Sequence, residues 1–139
     1  MRVVIDTNVI FEGLTKKGGA CGFIIDAWRS RLFTACISES LAYEYDDVLS
    51  RKISIHRWNE IKPTLTELLG EKSEFINIWF SWRPISPDPG DDHVIDCAMN
   101  ANAIVVTSNI KDFKKAIKRL GLKVMTPINF IDYLIYQEK

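Results

Sequence analysis

The chain has 139 residues, 47% of them hydrophobic, which is enough for one globular domain with a sizeable core. Eighteen basic and eighteen acidic side chains leave no net charge, and this excludes the strong positive field of an obligate nucleic-acid-binding protein. Three widely spaced cysteines without metal-type spacing indicate reduced thiols in the core. Because neither a leader nor a membrane-length apolar run is found, we expect a cytoplasmic protein without membrane association.

Strand and helix patterns alternate along the chain. Residues 3–5 are a run of β-branched side chains, typical of a strand covered on both faces, and residues 103–107 repeat the pattern. In chain order, the predicted elements are strand 3–5, helices 9–14 and 20–30, strand 32–37, helix 41–49, helices 58–69 and 71–80, strand 82–85, a helix from 91 or 92 to 101, strand 103–107, helix 110–120, strand 122–125 and a helix from 127. This order predicts an α/β fold, a three-layer sandwich around a mostly parallel five-stranded sheet, with helices 58–69 and 71–80 inserted as an α-hairpin.

Acidic residues occupy positions where an α/β sheet usually binds its ligand. Asp6 directly follows the first strand and Asp112 follows strand 103–107, so both belong at the carboxyl edge if these strands are neighbours. Asp92 and Asp96 are four residues apart and share a helix face, and Glu44 lies within helix 41–49. Each acid alone has an ordinary explanation as a cap, a first-turn acid or a solvated side chain. Clustered carboxylates, however, repel one another unless a cation such as magnesium or manganese joins them, and the sequence therefore predicts a metal.

Four segments resemble the PIN-domain family, in particular the bacterial toxin components of type II toxin–antitoxin pairs. The segments are 2–10 (RVVIDTNVI), 37–44 (ISESLAYE), 88–98 (DPGDDHVIDCA) and 105–113 (VVTSNIKDF). They occur in the order found in that family and extend over nearly the whole chain. The resemblance implies one PIN domain over residues 1–139, with the PIN-like version of the predicted sandwich.

The resemblance also implies an activity and a site. It implies a ribonuclease that hydrolyses RNA phosphodiester bonds with Mg²⁺ or Mn²⁺, acting as the toxin of a pair. Catalytic roles fall to Asp6, Glu44, Asp92 and Asp112, and metal binding to Asp6, Asp92, Asp112 and Asp96. The residues expected to bind substrate are Thr7, Asn8, Thr107, Ser108, Asn109, Lys16 and Lys111.

Asn109 departs from the pattern, because close relatives often carry an aspartate there. We therefore expect Asp112 to support the metal and Asn109 to orient water or a phosphate. The expected partners are RNA, a cognate antitoxin protein and a second copy of the chain. The lysines of helix 110–120 would bind phosphate, although a solvated helix face is the commoner meaning of such a run. The aromatic residues between 58 and 82 are first explained by core packing, and any surplus would form a dimer or antitoxin surface.

Other functions make different demands on the sequence. A phosphoacceptor receiver module predicts paired acids after strand 1 and a lysine after the last strand, whereas Asp6 stands alone and residues 125–127 contain no lysine. A phosphatase of the haloacid dehalogenase type needs Asp-x-Asp, but Asn8 occupies the second position. An inactive PIN-fold binding scaffold is favoured by Asn109 alone.

Overall fold

The computed structural model describes residues 1–82 and 85–138. Its elements, in chain order, are β1 (Arg2–Ile5), α1 (Thr7–Thr15), α2 (Gly19–Arg29), β2 (Thr34–Ile37), α3 (Glu39–Lys52), α4 (Ile55–Glu71), β3 (Ser73–Phe75), α5 (Pro89–Ala101), β4 (Ile104–Val106), a 3₁₀ turn (Ile110–Phe113), α6 (Lys114–Leu120), β5 (Val124–Met125) and α7 (Pro127–Glu138). Across these residues, no helix combines the length and apolar content needed to cross a bilayer.

The five strands form one sheet in the order β3-β2-β1-β4-β5, and every neighbouring pair is parallel. Val4 of β1 pairs with Val105 of β4, and Ile5 pairs with Val106. This confirms both the predicted α/β fold and the expected adjacency of the two most apolar strands. Because these strands are parallel, their carboxyl ends lie at one edge of the sheet, where Asp6 and the turn after β4 meet.

The core surrounds the central strand on both faces. Successive side chains of β1 point to opposite faces, and Val3, Val4 and Ile5 are all at most 1% exposed. Helix α5 packs against β1, β2 and β4, and α1 packs closely against α2. The close approach of α1 and α2 depends on Gly13, because a Cβ there would lie 2.7 Å from the carbonyl oxygen of Cys21. The three cysteines are free and buried, as predicted.

Two predicted elements differ from the structure. The helix predicted over 71–80 is wrong, because α4 continues through Gly70 and Ser73–Phe75 then form the edge strand β3 beside β2. The predicted α-hairpin therefore lacks its second helix. The strand predicted over 82–85 is not found at residues 82 and 85, and residues 83 and 84 lie outside the described residues. Apolar residues at 76, 79 and 80 imitate a helical period, but pairing with β2 satisfies the backbone of β3 instead.

Candidate metal centre

Asp6 is fixed between the two central strands. Its backbone N–H donates to the Val106 carbonyl (2.9 Å), while its carboxylate accepts bonds from the Thr7 N–H (2.8 Å) and the Thr107 hydroxyl (2.6 Å). Asp6 is 2% exposed. Burial raises its pKa, the bonds from Thr107 and Thr7 oppose that rise, and the charges of nearby acids add to it. The carboxylate is therefore held in one orientation at the carboxyl edge of the sheet.

Three further carboxylates converge on this edge. Asp88, Asp91 and Asp112 each offer an oxygen, and these oxygens all lie within 4.8 Å of one another. Asp88 is the N-cap of α5 and accepts a bond from the Gly90 N–H (3.0 Å), Asp91 lies in the first turn of α5, and Asp112 lies in the 3₁₀ turn after β4.

The electrostatics of this cluster fit a divalent cation. Asp91 is 9% exposed, and burial, followed by the charges of Asp6, Asp88 and Asp112, raises its pKa to about 8. Four carboxyl groups at this edge repel one another when ionised, and a cation would remove that repulsion. The donors are all hard oxygen atoms, the type that magnesium and manganese prefer.

Glu44 faces the cluster from α3. A Cβ added at Gly90 would lie 3.1 Å from Glu44 Oε1, so the glycine lets the start of α5 approach this carboxylate. Both residues border a cavity of about 240 Å³ at the sheet edge. Its lining residues are Asp6, Thr7, Asn8, Glu44, Val48, Arg51, Lys52, Asp88, Gly90 and Asp91. The cavity thus combines carboxylates with two basic side chains of α3, which the sequence analysis did not identify.

Asn109 contacts Asp112 directly. Its side-chain amide donates to Asp112 Oδ2 (2.6 Å), and its backbone N–H donates to the Thr107 hydroxyl oxygen (3.0 Å). Because the same hydroxyl donates to Asp6, a continuous chain of hydrogen bonds joins Asp6, Thr107, Asn109 and Asp112. In this arrangement Asn109 orients a carboxylate of the cluster.

Asp92 and Asp96 lie outside the three-carboxylate cluster. Asp92 Oδ1 accepts bonds from the backbone N–H groups of Ile85 (3.3 Å) and Ser86 (3.0 Å). Asp96 accepts bonds from the segment that contains Ser81 and Trp82 (3.0 and 3.1 Å). Successive helix residues are about 100° apart around the axis, so Asp91 faces the cluster while Asp92 faces the preceding segment.

The structure thus brings Asp91 to the position for which the sequence analysis had selected Asp92. Asp88 was also missed. The spacing of these two residues was an available signal, because side chains three residues apart at a helix start lie on the same side.

The residues expected to bind substrate have different surroundings. Thr7 and Thr107 are buried, and both donate to the Asp6 carboxylate, Thr7 with its backbone N–H and Thr107 with its hydroxyl. Asn8 is exposed and borders the acidic cavity, and Ser108 is exposed after β4.

The two predicted lysines border different cavities. Lys16 lies at the end of α1, about 15 Å along the helix from Asp6 at about 1.5 Å per residue, and it borders a separate cavity. Its ammonium group pairs with Glu12 (3.4 Å). Lys111, in contrast, is exposed beside Asp112 and borders a cavity of about 300 Å³ with Lys114 and Lys115.

Fold and centre together define a class, a parallel α/β domain with a carboxylate cluster suited to a divalent cation at the carboxyl edge of its sheet. The family profile of the PIN domain matches residues 2–111, and the chain belongs to the PIN-domain family. PIN domains are generally metal-dependent nucleases. Membership excludes the receiver and phosphatase alternatives, and the strand order also differs from the 2-1-3-4-5 order of receiver-like sheets.

Two individual proteins are similar over most of the chain. The uncharacterised protein MJ1680 of Methanocaldococcus jannaschii is 25% identical in an alignment 151 residues long, which covers 95% of this chain and 90% of that protein. A chain in the crystal structure of VapBC2 from Rickettsia felis, bound to a DNA fragment from their promoter, superposes with a TM-score of 0.67 at 19% identity. That match covers 91% of this chain and 98% of the other, and it shows a shared fold.

Proposed function

We propose that the protein is an endoribonuclease that uses Mg²⁺ or Mn²⁺ to hydrolyse RNA phosphodiester bonds. The observation that carries this proposal is the convergence of Asp88, Asp91 and Asp112 within 4.8 Å at the edge where Asp6 ends β1. Family membership supports the nuclease class, and the hard oxygen donors support the choice of metal.

Asp6, Asp88, Asp91 and Asp112 would hold the cation. Bound there, it would supply Lewis-acid activation of water and neutralise charge on the phosphate. The protein contributes orientation: Thr7 and Thr107 fix the Asp6 carboxylate, and Asn109 fixes that of Asp112. Glu44, which borders the same cavity, would accept a proton from an attacking water.

Basic side chains on both sides of the centre support an RNA substrate. Arg51 and Lys52 border the acidic cavity on α3, and Lys111, Lys114 and Lys115 border the neighbouring cavity beside Asp112. Phosphate groups on either side of the cleaved bond would contact these two groups. This arrangement gives a neutral chain the local positive charge that RNA binding requires.

We also propose that the protein is a toxin neutralised by a cognate antitoxin, and that it acts as a homodimer in the cytoplasm. The VapBC2 complex is the fold neighbour that suggests such a partner. Trp79 and Phe80 are 78% and 70% exposed, and such aromatic side chains are typical of protein interfaces. An adjacent gene for a small DNA-binding protein, and a dimer by analytical ultracentrifugation, would support these assignments.

Incubation of purified protein with total RNA tests the proposed activity. We expect cleavage with Mg²⁺ or Mn²⁺, none with EDTA, and none by the Asp91→Asn variant. Asp26→Asn, which removes an exposed carboxylate from α2, is the charge-matched control and should cleave normally. If the natural chain binds RNA without cleaving it under all these conditions, the protein is a PIN-fold scaffold instead.

A further inference from the structure

Three polar side chains project from one face of α5 at intervals of four residues: Asp92, Asp96 and Asn100. We call them the α5 ladder. All three bind residues that precede the helix, and we call residues 79–82 and 85–88 the strap. Residues later in α5 bind residues earlier in the strap, so the strap runs antiparallel to the helix. The ladder therefore fixes the strap at three heights along α5.

The ladder accepts hydrogen bonds from the backbone N–H groups of five described strap residues. Asn100 Oδ1 accepts bonds from the N–H groups of Trp79 (2.9 Å) and Phe80 (3.2 Å), and its amide donates to the Phe80 carbonyl (2.8 Å). Asp92 and Asp96 are 4% and 3% exposed and bind the strap with carboxylate oxygens, which form stronger bonds than neutral acceptors. None of the described strap residues before α5 belongs to a helix or strand that could provide such partners.

Ser86 connects the ladder to the carboxylate cluster. Its N–H donates to Asp92, while its hydroxyl donates to the Asp112 carbonyl (3.2 Å) and accepts a bond from the Asp88 N–H (3.2 Å). One serine side chain thus contacts the backbone of two of the three converging acids. A change in the Asp92 bond would shift Ser86 and, through it, the separation of Asp88 and Asp112.

We propose that Asp92 is a positioning residue that acts through Ser86 to set the separation of Asp88 and Asp112, and thereby the metal affinity of the centre. This inference rests on the proposed metal-dependent function. Groups that orient metal ligands typically change metal affinity by 10- to 100-fold when they are removed. The proposal also predicts a gradient: Asn100, two turns farther along α5, stabilises the strap without changing metal affinity.

Calorimetric titration of the full-length chain with Mn²⁺ tests the proposal without requiring cleavage. We expect Asp92→Ala and Ser86→Ala each to weaken binding by about tenfold or more. Ser86→Ala changes no charge, so its effect separates positioning from the loss of a negative charge near the ion. Ser86→Thr keeps the hydroxyl and should bind nearly as well as the natural chain, and Asn100→Ala should bind normally while it unfolds at a lower temperature. Circular dichroism confirms that each variant is folded at the titration temperature.

The possible outcomes separate this inference from the proposed function. If the natural chain binds Mn²⁺ and Ser86→Ala binds it equally well, the positioning role is wrong while the metal centre stands. If the natural chain binds no Mn²⁺, the metal centre itself is wrong and the inference fails with it. Should Asp92→Ala not fold, Ser86→Ala and Ser86→Thr decide the question.

Discussion

Adjacent aspartates at the start of α5 should respond to the same substitution with opposite changes in stability. In the metal-free protein, burial and neighbouring carboxylates raise the pKa of Asp91 from 3.8 to about 8. At pH 7 the folded protein therefore holds this carboxyl mostly protonated, whereas the unfolded chain ionises it. At about 1.4 kcal/mol per pKa unit, this difference reduces the free energy of unfolding at pH 7 by at most about 4 kcal/mol. Asp91→Asn removes that cost, and it loses little interaction with the helix dipole because the carboxyl that it replaces is mostly neutral at pH 7. Since neighbouring carboxylates also relax, we expect a net gain of about 1–3 kcal/mol.

Asp92→Asn should instead destabilise the protein. The Asp92 carboxylate accepts two backbone N–H bonds, and a neutral amide oxygen forms weaker ones, so we expect a loss of about 1–3 kcal/mol. Both residues lie in the first turn of α5, so the two substitutions are made at nearly the same position in the helix. The comparison therefore isolates what each carboxylate contacts.

Urea denaturation in EDTA at pH 7, followed by the fluorescence of the four tryptophans, measures both changes. A parallel Mn²⁺ titration should show no binding by Asp91→Asn. Asp92→Asn should bind more weakly than the natural chain but more tightly than Asp92→Ala, because its amide oxygen still accepts the Ser86 N–H bond. Equal destabilisation by the two substitutions would refute the electrostatic assignment of Asp91. Native metal affinity in Asp91→Asn would refute its place among the ligands.

Three further predictions follow from the same structure. Because the pKa of Asp91 is raised, its contribution to metal-free stability is fully present below about pH 4 and is lost as the pH rises through about 8. Metal binding needs ionised ligands, so the increase in Tm produced by Mn²⁺ should be larger at pH 8 than at pH 6. A Tm increase that does not change with pH would contradict this. Gly13→Ala should destabilise the protein by about 1–3 kcal/mol, because the added Cβ overlaps the α2 backbone. Gly70→Ala, with open space around it in α4, should stabilise the protein by about 0.5–1 kcal/mol. Chemical denaturation measures the free energy of unfolding of both variants and distinguishes the loss from the gain. Asp112→Asn should weaken Mn²⁺ binding and RNA cleavage more than Asn109→Ala does. Asn109→Asp should tighten metal binding, because it adds an anion. If Asp112→Asn has no effect while Asn109→Ala is inactive, the roles of the two residues are reversed.

The sequence alone was sufficient to predict the two central strands and the acidic residues at their carboxyl ends. The β-branched runs of β1 and β4 predicted adjacent buried strands, because side chains that are apolar on both faces require cover on both faces. The position of Asp6 after β1 and of Asp112 after β4 then placed two carboxylates at the carboxyl edge. These conclusions needed only local pattern and the geometry common to parallel sheets.

Only the tertiary structure determined which side chains complete the centre. Asp91 and Asp92 are equivalent in sequence as first-turn acids, but they point in directions about 100° apart, and the strap bonds to Asp92 while Asp91 meets the cluster. The predicted helix over 71–80 likewise rests on a partly helical pattern at residues 76, 79 and 80, yet Ser73–Phe75 form a strand because the edge of β2 offers hydrogen bonds that the pattern cannot reveal. The partner of β3 is β2, which is distant in sequence, and the direction of Asp91 and Asp92 depends on how α5 is rotated about its axis. Local spacing shows that Asp88 and Asp91 lie on the same side of the helix start, but it does not show that this side faces Asp6 and Asp112.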